Sequence, residues 1–401
     1  MTAIPFDFDE IVDRNEVSTL KFDKPTMLQI FGTDKLWPSW VADMDFKVAP
    51  EIIAALSERL NHGVFGYEAN VHKLTKAVSQ WYQQRYNWNF TANKIIFTPR
   101  TLNSLTVLIE LFSSTGDGVI VQSPVFYDFK LIIRSTNRRL IKNPLILQHG
   151  RYSFDFEDLE TKAAEPDNKL LILCNPHNPI GRVWSHDELK KLSDICIKHQ
   201  VFIISDEIHG DLTYHNRYTP IASLSPESAN NSASCISPVK SFNLAGVANS
   251  MIVIHDTEKR KQCASWYSKM ELNKYNVFTN TAMLAAYTHG ENWLNQVMKY
   301  LEENLKLLRT TLQEKIPGIK LIEPEGTFLV WLDFRDLGLD IKQLETFLLN
   351  DANMATNPGQ WFGREGAGFV RMNIACPKKV LTSALNQLEK AVAELPMNKS
   401  K

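Results

Sequence analysis

Between residues 94 and 254 short apolar runs alternate with helical stretches, and this alternation restricts the fold more than any other feature of the chain. The candidate strands are 94–98, 118–122, 139–145, 169–174, 201–205, 235–237 and 250–254. One intervening helix is marked by a capping box, Ser185 with Glu188, ahead of a buried stripe of Leu189, Leu192, Cys196 and Ile197. Such alternation predicts an α/β chain with a largely parallel, helix-covered sheet. On sheets of that kind ligands collect beyond the carboxyl ends of the strands.

The flanks read differently. Pro5, Pro25, Pro38 and Pro50 break up the first fifty residues, which look like an arm. A helix is predicted over 50–62, with Ile52, Ile53, Leu56 and Leu60 on one face, and a second amphipathic helix over 70–86. After 254 come helical sequence over 280–315 with Leu301, Leu305 and Leu308, a strand at 327–334 and a short helix at 341–350. A Gly-rich loop at 357–368, a strand at 369–374 and a helix over 377–395 complete an α+β unit. The expected division is 1–49 as an arm and part of the small domain, 50–285 as the large domain and 286–401 as the small domain.

Composition narrows the partners. With 44% apolar and 22% charged residues and a net charge of −1, the chain has no global field for nucleic acid or an anionic membrane. Its five cysteines lack CxxC spacing, which argues against a disulfide framework or a zinc site, so no metal is expected. The acidic opening, Met1-Thr-Ala-Ile-Pro-Phe-Asp-Phe-Asp-Glu10, does not resemble a signal peptide, and no apolar run approaches a membrane span. The expected location is cytoplasmic.

Three segments end apolar strands and carry chemistry: Asn175-Pro-His-Asn-Pro-Ile-Gly181, Ser205-Asp-Glu-Ile-His209 and Cys235-Ile-Ser-Pro-Val-Lys-Ser-Phe-Asn-Leu-Ala-Gly246. Lys240 offers a Schiff-base amine, Asp206 a carboxylate to keep a pyridinium nitrogen protonated, and Asn178 an amide for a phenolic oxygen. Pyridoxal 5'-phosphate asks a protein for that set. Taken singly, each has a plainer reading: a solvated lysine, a helix-capping aspartate, a turn asparagine.

Other candidates follow from the same chemistry. A phosphate needs helix-terminal N–H groups and hydroxyls, which the amides of Thr101 and Leu102 and the side chain of Ser237 can supply. Phe126 is a candidate to stack on a ring. Arg371 offers a planar two-point grip on an α-carboxylate.

With these residues in place, the chain resembles the fold-type I pyridoxal-phosphate family, the class I/II aminotransferase group, over nearly its whole length. Within it the chain is most similar to the bacterial cystathionine β-lyase and cystalysin-like C–S lyase branch. Arg14 with Ser18-Thr-Leu-Lys-Phe-Asp23, Trp40-Val-Ala-Asp-Met-Asp-Phe46, His62-Gly-Val-Phe-Gly-Tyr67 and Gly366–Asn373 carry the likeness beside the three segments above. The resemblance implies a large domain with a mixed, mostly parallel seven-stranded sheet plus a smaller α+β domain. It implies that Lys240 binds the cofactor and shuttles the Cα proton, with Asp206, Asn178, Phe126, Thr101, Leu102, Ser237 and His209 as further cofactor contacts. Arg371, Tyr127 and Ala42 become substrate contacts. Tyr67 is implied to reach the partner's phosphate in a homodimer with shared active sites.

The chain departs from the branch in several places. Arg100-Thr101-Leu102 stands where a glycine and two valines are usual, Phe126-Tyr127 replaces tandem tyrosines, and Pro-Val rather than Pro-Ser precedes Lys240. Ala248 occupies the place of an arginine that many aminotransferases have, a gap that fits the lyase branch. The expected reaction is α,β-elimination from an L-cysteine thioether to a thiol, pyruvate and ammonia. An aminotransferase using a keto-acid acceptor, and a regulatory or binding protein that retains the cofactor pocket, are the alternatives.

Overall fold

The computed structural model describes residues 6–68 and 71–395. Residues 1–5 of the acidic opening and Asn70, at the head of the second expected helix, lie outside these. Seven strands form the large sheet: β1 (Ile95–Thr98), β2 (Gly118–Val121), β3 (Arg139–Lys142), β4 (Asn168–Cys174), β5 (Phe202–Asp206), β6 (Ser232–Ile236) and β7 (Ser250–Ile254). Their order is β1-β7-β6-β5-β4-β2-β3. Only β7 runs antiparallel to its neighbours, so the sheet is mixed and mostly parallel, as expected.

Alternation sorts the strand side chains into two core layers. Leu170, Ile172, Phe202 and Ile204 face one layer, while Leu171, Leu173 and Ile203 face the other. Helix α3 (Thr101–Phe112) covers the first layer through Leu105, Leu108 and Ile109. The capping box of Ser185 and Glu188 starts the helix His186–Lys198, which covers the second through Leu189, Leu192 and Cys196. Burying each such leucine contributes ~2 kcal/mol.

Several boundaries moved, each for a local reason. Strand β3 stops at Lys142, short of 145, because Pro144 has no N–H to offer a ladder. Strand β6 begins at Ser232, earlier than 235, because buried serines hid it; Ser232 Oγ donates to Ser228 O at 2.7 Å. The helical stretch over 280–315 is two helices, Val277–His289 and Glu291–Lys315. They meet at Gly290, where a Cβ would collide with the Phe242 ring and the Ala286 carbonyl. The expected division at residue 285 therefore falls inside the first of these helices.

The C-terminal unit has four antiparallel strands, β8 (Lys320–Ile322), β9 (Leu329–Asp333), β10 (Asn357–Pro358) and β11 (Phe369–Asn373), in the order β8-β9-β11-β10. Strand β10 and two short 3-10 turns occupy the Gly-rich loop. The arm belongs with this unit, since Trp37 and Pro38 pair in parallel with Met354 and Ala355.

The helix expected over 50–62 is present as Pro50–His62, but its face is a correction. Of the four stripe residues only Ile52 is buried, while Ile53 and Leu60 are exposed. Val64, Phe65 and Tyr67, which follow the helix, are exposed as well. Among the described residues no helix is long and apolar enough to cross a membrane.

A buried charge ties the two units together. Arg182 donates from Nε to Glu325 Oε2 at 2.8 Å and from Nη2 to Glu188 Oε2 at 2.8 Å. Removing Glu325 leaves Arg182 paired only with Glu188 and cuts the tie between the units, so Glu325→Ala should destabilise the chain by ~2 kcal/mol, read as a lower urea midpoint. An unchanged midpoint would show that the contact contributes nothing to the seam.

Candidate active site

The three chemistry-bearing segments converge where the strands of the large sheet end, and β11 closes over them from the small unit. Asp206 is the last residue of β5 and is buried. Burial lifts its carboxyl to about 6; Ile208 N, 3.4 Å from Oδ1, and the nearby Lys240 only partly oppose that rise. A carboxyl raised by burial is one that a neighbouring cation brings back down. Glu207 is turned away, accepting from Ser205 Oγ at 2.7 Å and Ile221 N at 3.1 Å and also from Tyr218 OH.

Lys240 lies in the turn after β6, and its Nζ donates to Ala42 O at 2.6 Å. Burial, and then the charge of Arg371, lower its ammonium to about 8, against which Asp43 and Asp206 pull it up. Ala42 sits in the segment Trp40-Val-Ala-Asp-Met-Asp-Phe46, which is clamped from both sides. Asn243 accepts from Met44 N at 3.0 Å and donates to Met44 O and Phe46 O, while Asn373 donates to Val41 O at 2.8 Å and Asp43 O at 2.6 Å. Outside the clamp, Arg14 and Lys21 pair with Asp43 and Asp45. A cleft of about 530 Å³ runs between this segment and the Lys240 turn, with Arg100 on its wall.

Arg371 and Asn373 share one face of β11, and Val370 and Met372 enter the core on the other. Arg371 is fully buried and has no carboxylate partner among the described residues. Its guanidinium donates to Asn357 Oδ1 at 2.6 and 3.1 Å, to Trp40 O at 2.9 Å and to Asn178 Oδ1 at 3.0 Å. Desolvation lowers it to about 10, while Tyr127 and Asp128 oppose the fall. Because Asn178 spends its oxygen on Arg371, its NH2 is the group left to donate.

The remaining candidates divide. Thr101 begins α3, whose capping position, Arg100, makes no side-chain cap, so the first-turn amides are uncommitted to any side-chain cap. Thr101 Oγ1 and Ser250 Oγ, 3.2 Å apart, tie that helix start to β7. Ser237 is close in sequence to Lys240, but its hydroxyl donates to Asn249 O at 2.8 Å. His209 is buried with Nδ1 unpartnered, and burial holds it well below the usual imidazole range. Phe126 and Tyr127 are partly buried, their ring centroids 4.9 Å apart, and the Tyr127 ring meets Phe362 at 5.5 Å. Tyr67 is fully exposed in the single chain. The sequence reading missed Asn357, Asn243 and Asn373 as supports; only Asn373 left a signal, two residues beyond Arg371 on a strand.

These groups fit pyridoxal 5'-phosphate. A buried cation without an ion-pair partner among the described residues, a desolvated amine, a buried carboxyl, an imidazole nitrogen without a hydrogen-bond partner and an uncapped helix start lie together, and the cofactor brings a phosphate, an aldehyde, a ring nitrogen and a phenol. The desolvated amine is directly testable. The rate at which Lys240 captures an aldehyde probe should climb through about pH 8, and a climb delayed to the ordinary value of 10.5 would show an amine still in water.

A sequence model of the family described as aminotransferase class I and II matches residues 41–388. The chain is 38% identical over 387 residues to cystathionine beta-lyase PatB of Bacillus subtilis (strain 168), covering 96% of this chain and 100% of that protein. It is 33% identical over 392 residues to protein MalY of Escherichia coli (strain K12), covering 97% and 98%. Cystalysin from Treponema denticola, solved with its pyridoxal 5'-phosphate cofactor, superimposes with a TM-score of 0.94 at 32% identity over 98% of this chain and 100% of that one. With that match across the site and both structural units, the chain belongs to the aminotransferase class I and II family.

Proposed function

We propose that this protein is a pyridoxal-phosphate-dependent carbon–sulfur β-lyase, which eliminates a thiol from a cysteine thioether and, with the uptake of one water, leaves pyruvate and ammonia. The single observation that carries the reading is the buried Arg371, with no ion-pair partner among the described residues, close enough to the desolvated amine of Lys240 for its charge to act on it. The kinship with PatB, a cystathionine beta-lyase, and with cystalysin supports the sulfur chemistry.

Each residue has a physical task. Arg371 holds the substrate α-carboxylate through its fork, replacing the oxygens it now binds with a true counter-charge. Lys240 Nζ takes the Cα proton and is the point of cofactor attachment. Burial makes that amine easier to deprotonate near neutral pH than an ordinary lysine. Asp206 pairs with the ring nitrogen and keeps a proton there. Asn178 donates its NH2 to the phenolic oxygen, and the first-turn amides of α3 hold the phosphate. Pyridoxal 5'-phosphate, when bound, supplies the electron sink for the pair left at Cα. Tyr127, beside Arg371, lies on the substrate side, and Ala42 O gives Lys240 a resting acceptor.

The working form is a cytoplasmic homodimer in this proposal. Ile53, Leu60, Val64, Phe65 and Tyr67 leave apolar surface exposed in the single chain, and burying such surface is favourable. Tyr67 then reaches the partner's site instead of its own. We place the junction of the large and small domains at Gly290, where the chain breaks between two helices.

Purified protein with L-cystathionine and no keto acid should release pyruvate and thiol in equal amounts, and Lys240→Ala should abolish both. Silence until a keto acid is added would make the chain an aminotransferase, and undiminished turnover by Lys240→Ala would end the assignment of the base. Sedimentation should give a dimer, and Leu60→Asp in that surface should shift it toward monomer. A monomeric parent with full activity would remove the shared site.

A further inference from the structure

The residue after the lysine is tied to a charge that the proposed reaction does not use. Asp211 lies just beyond Ser205-Asp-Glu-Ile-His209 and is buried. Its Oδ2 accepts from Ser241 Oγ at 2.6 Å. Its Oδ1 accepts from Trp81 Nε1 at 2.9 Å and from the Tyr86 hydroxyl, both on the helix His72–Tyr86. The nearest cation, Arg85, is 3.6 Å away and is shared with Glu291 at 3.2 Å.

A buried carboxylate facing hydroxyl and indole donors is a costly way to hold a turn that a backbone carbonyl could hold. What it adds is stiffness, because bonds to an ionised acceptor are shorter and stronger than neutral ones. The rest of the turn is fixed as well. Ser237 Oγ is bonded to Asn249 O before the lysine, and Phe242 after it is fully buried against Trp81, with ring centroids 5.5 Å apart.

We propose that Asp211 is a positioning residue for Lys240: through Ser241 it pins the main chain from which the amine swings between cofactor and substrate. Its carboxylate touches neither. The inference rests on the reading of Lys240 as the cofactor's attachment point. A lysine so held competes for the cofactor aldehyde at high effective concentration, and loosening the turn lowers that advantage.

The test uses the holoprotein and hydroxylamine, a small amine that competes with Lys240 for the cofactor, followed by cofactor absorbance. In Ser241→Ala, which keeps Asp211 bonded to Trp81 and Tyr86, the half-displacing hydroxylamine concentration should fall ~10-fold. The kcat for pyruvate release should fall by a similar factor, with KM within ~2-fold. Asp211→Asn, which keeps a neutral bond to Ser241 but removes the charge on the acceptor, should shift both readouts in the same direction by less, and the double variant should lose no more than Ser241→Ala alone, because both act on one contact. Tyr86→Phe, which leaves the Ser241 bond intact, is the control for a merely structural role: it should lower thermal stability without changing the hydroxylamine competition. Parent-like competition in Ser241→Ala, or equal weakening in Tyr86→Phe, overturns the proposal. If the parent shows no lyase turnover, the reaction reading falls, and the hydroxylamine comparison still decides this one.

Discussion

Arg371 is the contact on which the rest of the site depends. A fully buried guanidinium without an acid is tolerable only where its N–H groups meet oxygen acceptors, since burying a bare charge is far costlier than burying a bonded one. Its acceptors come from three parts of the chain: Asn357 of the small sheet, Trp40 O of the arm and Asn178 of the large domain. Each segment is therefore placed by the need to solvate one cation. Asn373, on the same strand face, repeats the arrangement for the backbone of Val41 and Asp43, and so sets the segment whose Ala42 carbonyl receives Lys240. The seam is built around a buried cation held by neutral oxygen acceptors, which in the proposed reading preorganises it for a carboxylate.

Burial tunes the other groups in opposite directions. It lowers Lys240 to about 8 and raises Asp206 to about 6, so both move toward their neutral forms. The two shifts suit different tasks. A neutral amine can attack and take a proton, whereas a carboxyl raised by burial is one that a cation beside it draws back toward the charged form. Asp211 carries a third buried carboxyl, on the far side of the lysine turn, and spends it on geometry. Three acids in one region thus differ in role because of what surrounds them: a lone backbone amide for Asp206, hydroxyls and an amide for Glu207, an indole and two hydroxyls for Asp211.

Much of this was legible from local pattern. The strand ends carrying Asn178, Asp206 and Lys240 could be found because parallel strands, covered on both faces, are continuous apolar runs, and the polar residue that ends such a run marks the sheet edge. Strand β6 was read short because it opens on buried serines, Ser232 with its hydroxyl bonded to Ser228 O, which no apolar pattern records. The face of the helix Pro50–His62 was misjudged for a different reason. Its stripe is apolar, but a stripe states only that something covers it, and here the single chain does not.

By itself the sequence determined the α/β class, the three strand-end motifs and the arginine on a late strand. Those follow from periodicity and from residue chemistry within a dozen neighbours. Only the tertiary structure decided that Arg371 has no ion-pair partner among the described residues, that Asn178 turns its oxygen to it, that Ser237 gives its hydroxyl to Asn249, and that Asp211 holds Ser241. The physical reason is desolvation: a charge or hydroxyl has no fixed partner until long-range packing removes its water. Asn178 and Arg371 are separated by 193 positions, and no local pattern says they meet.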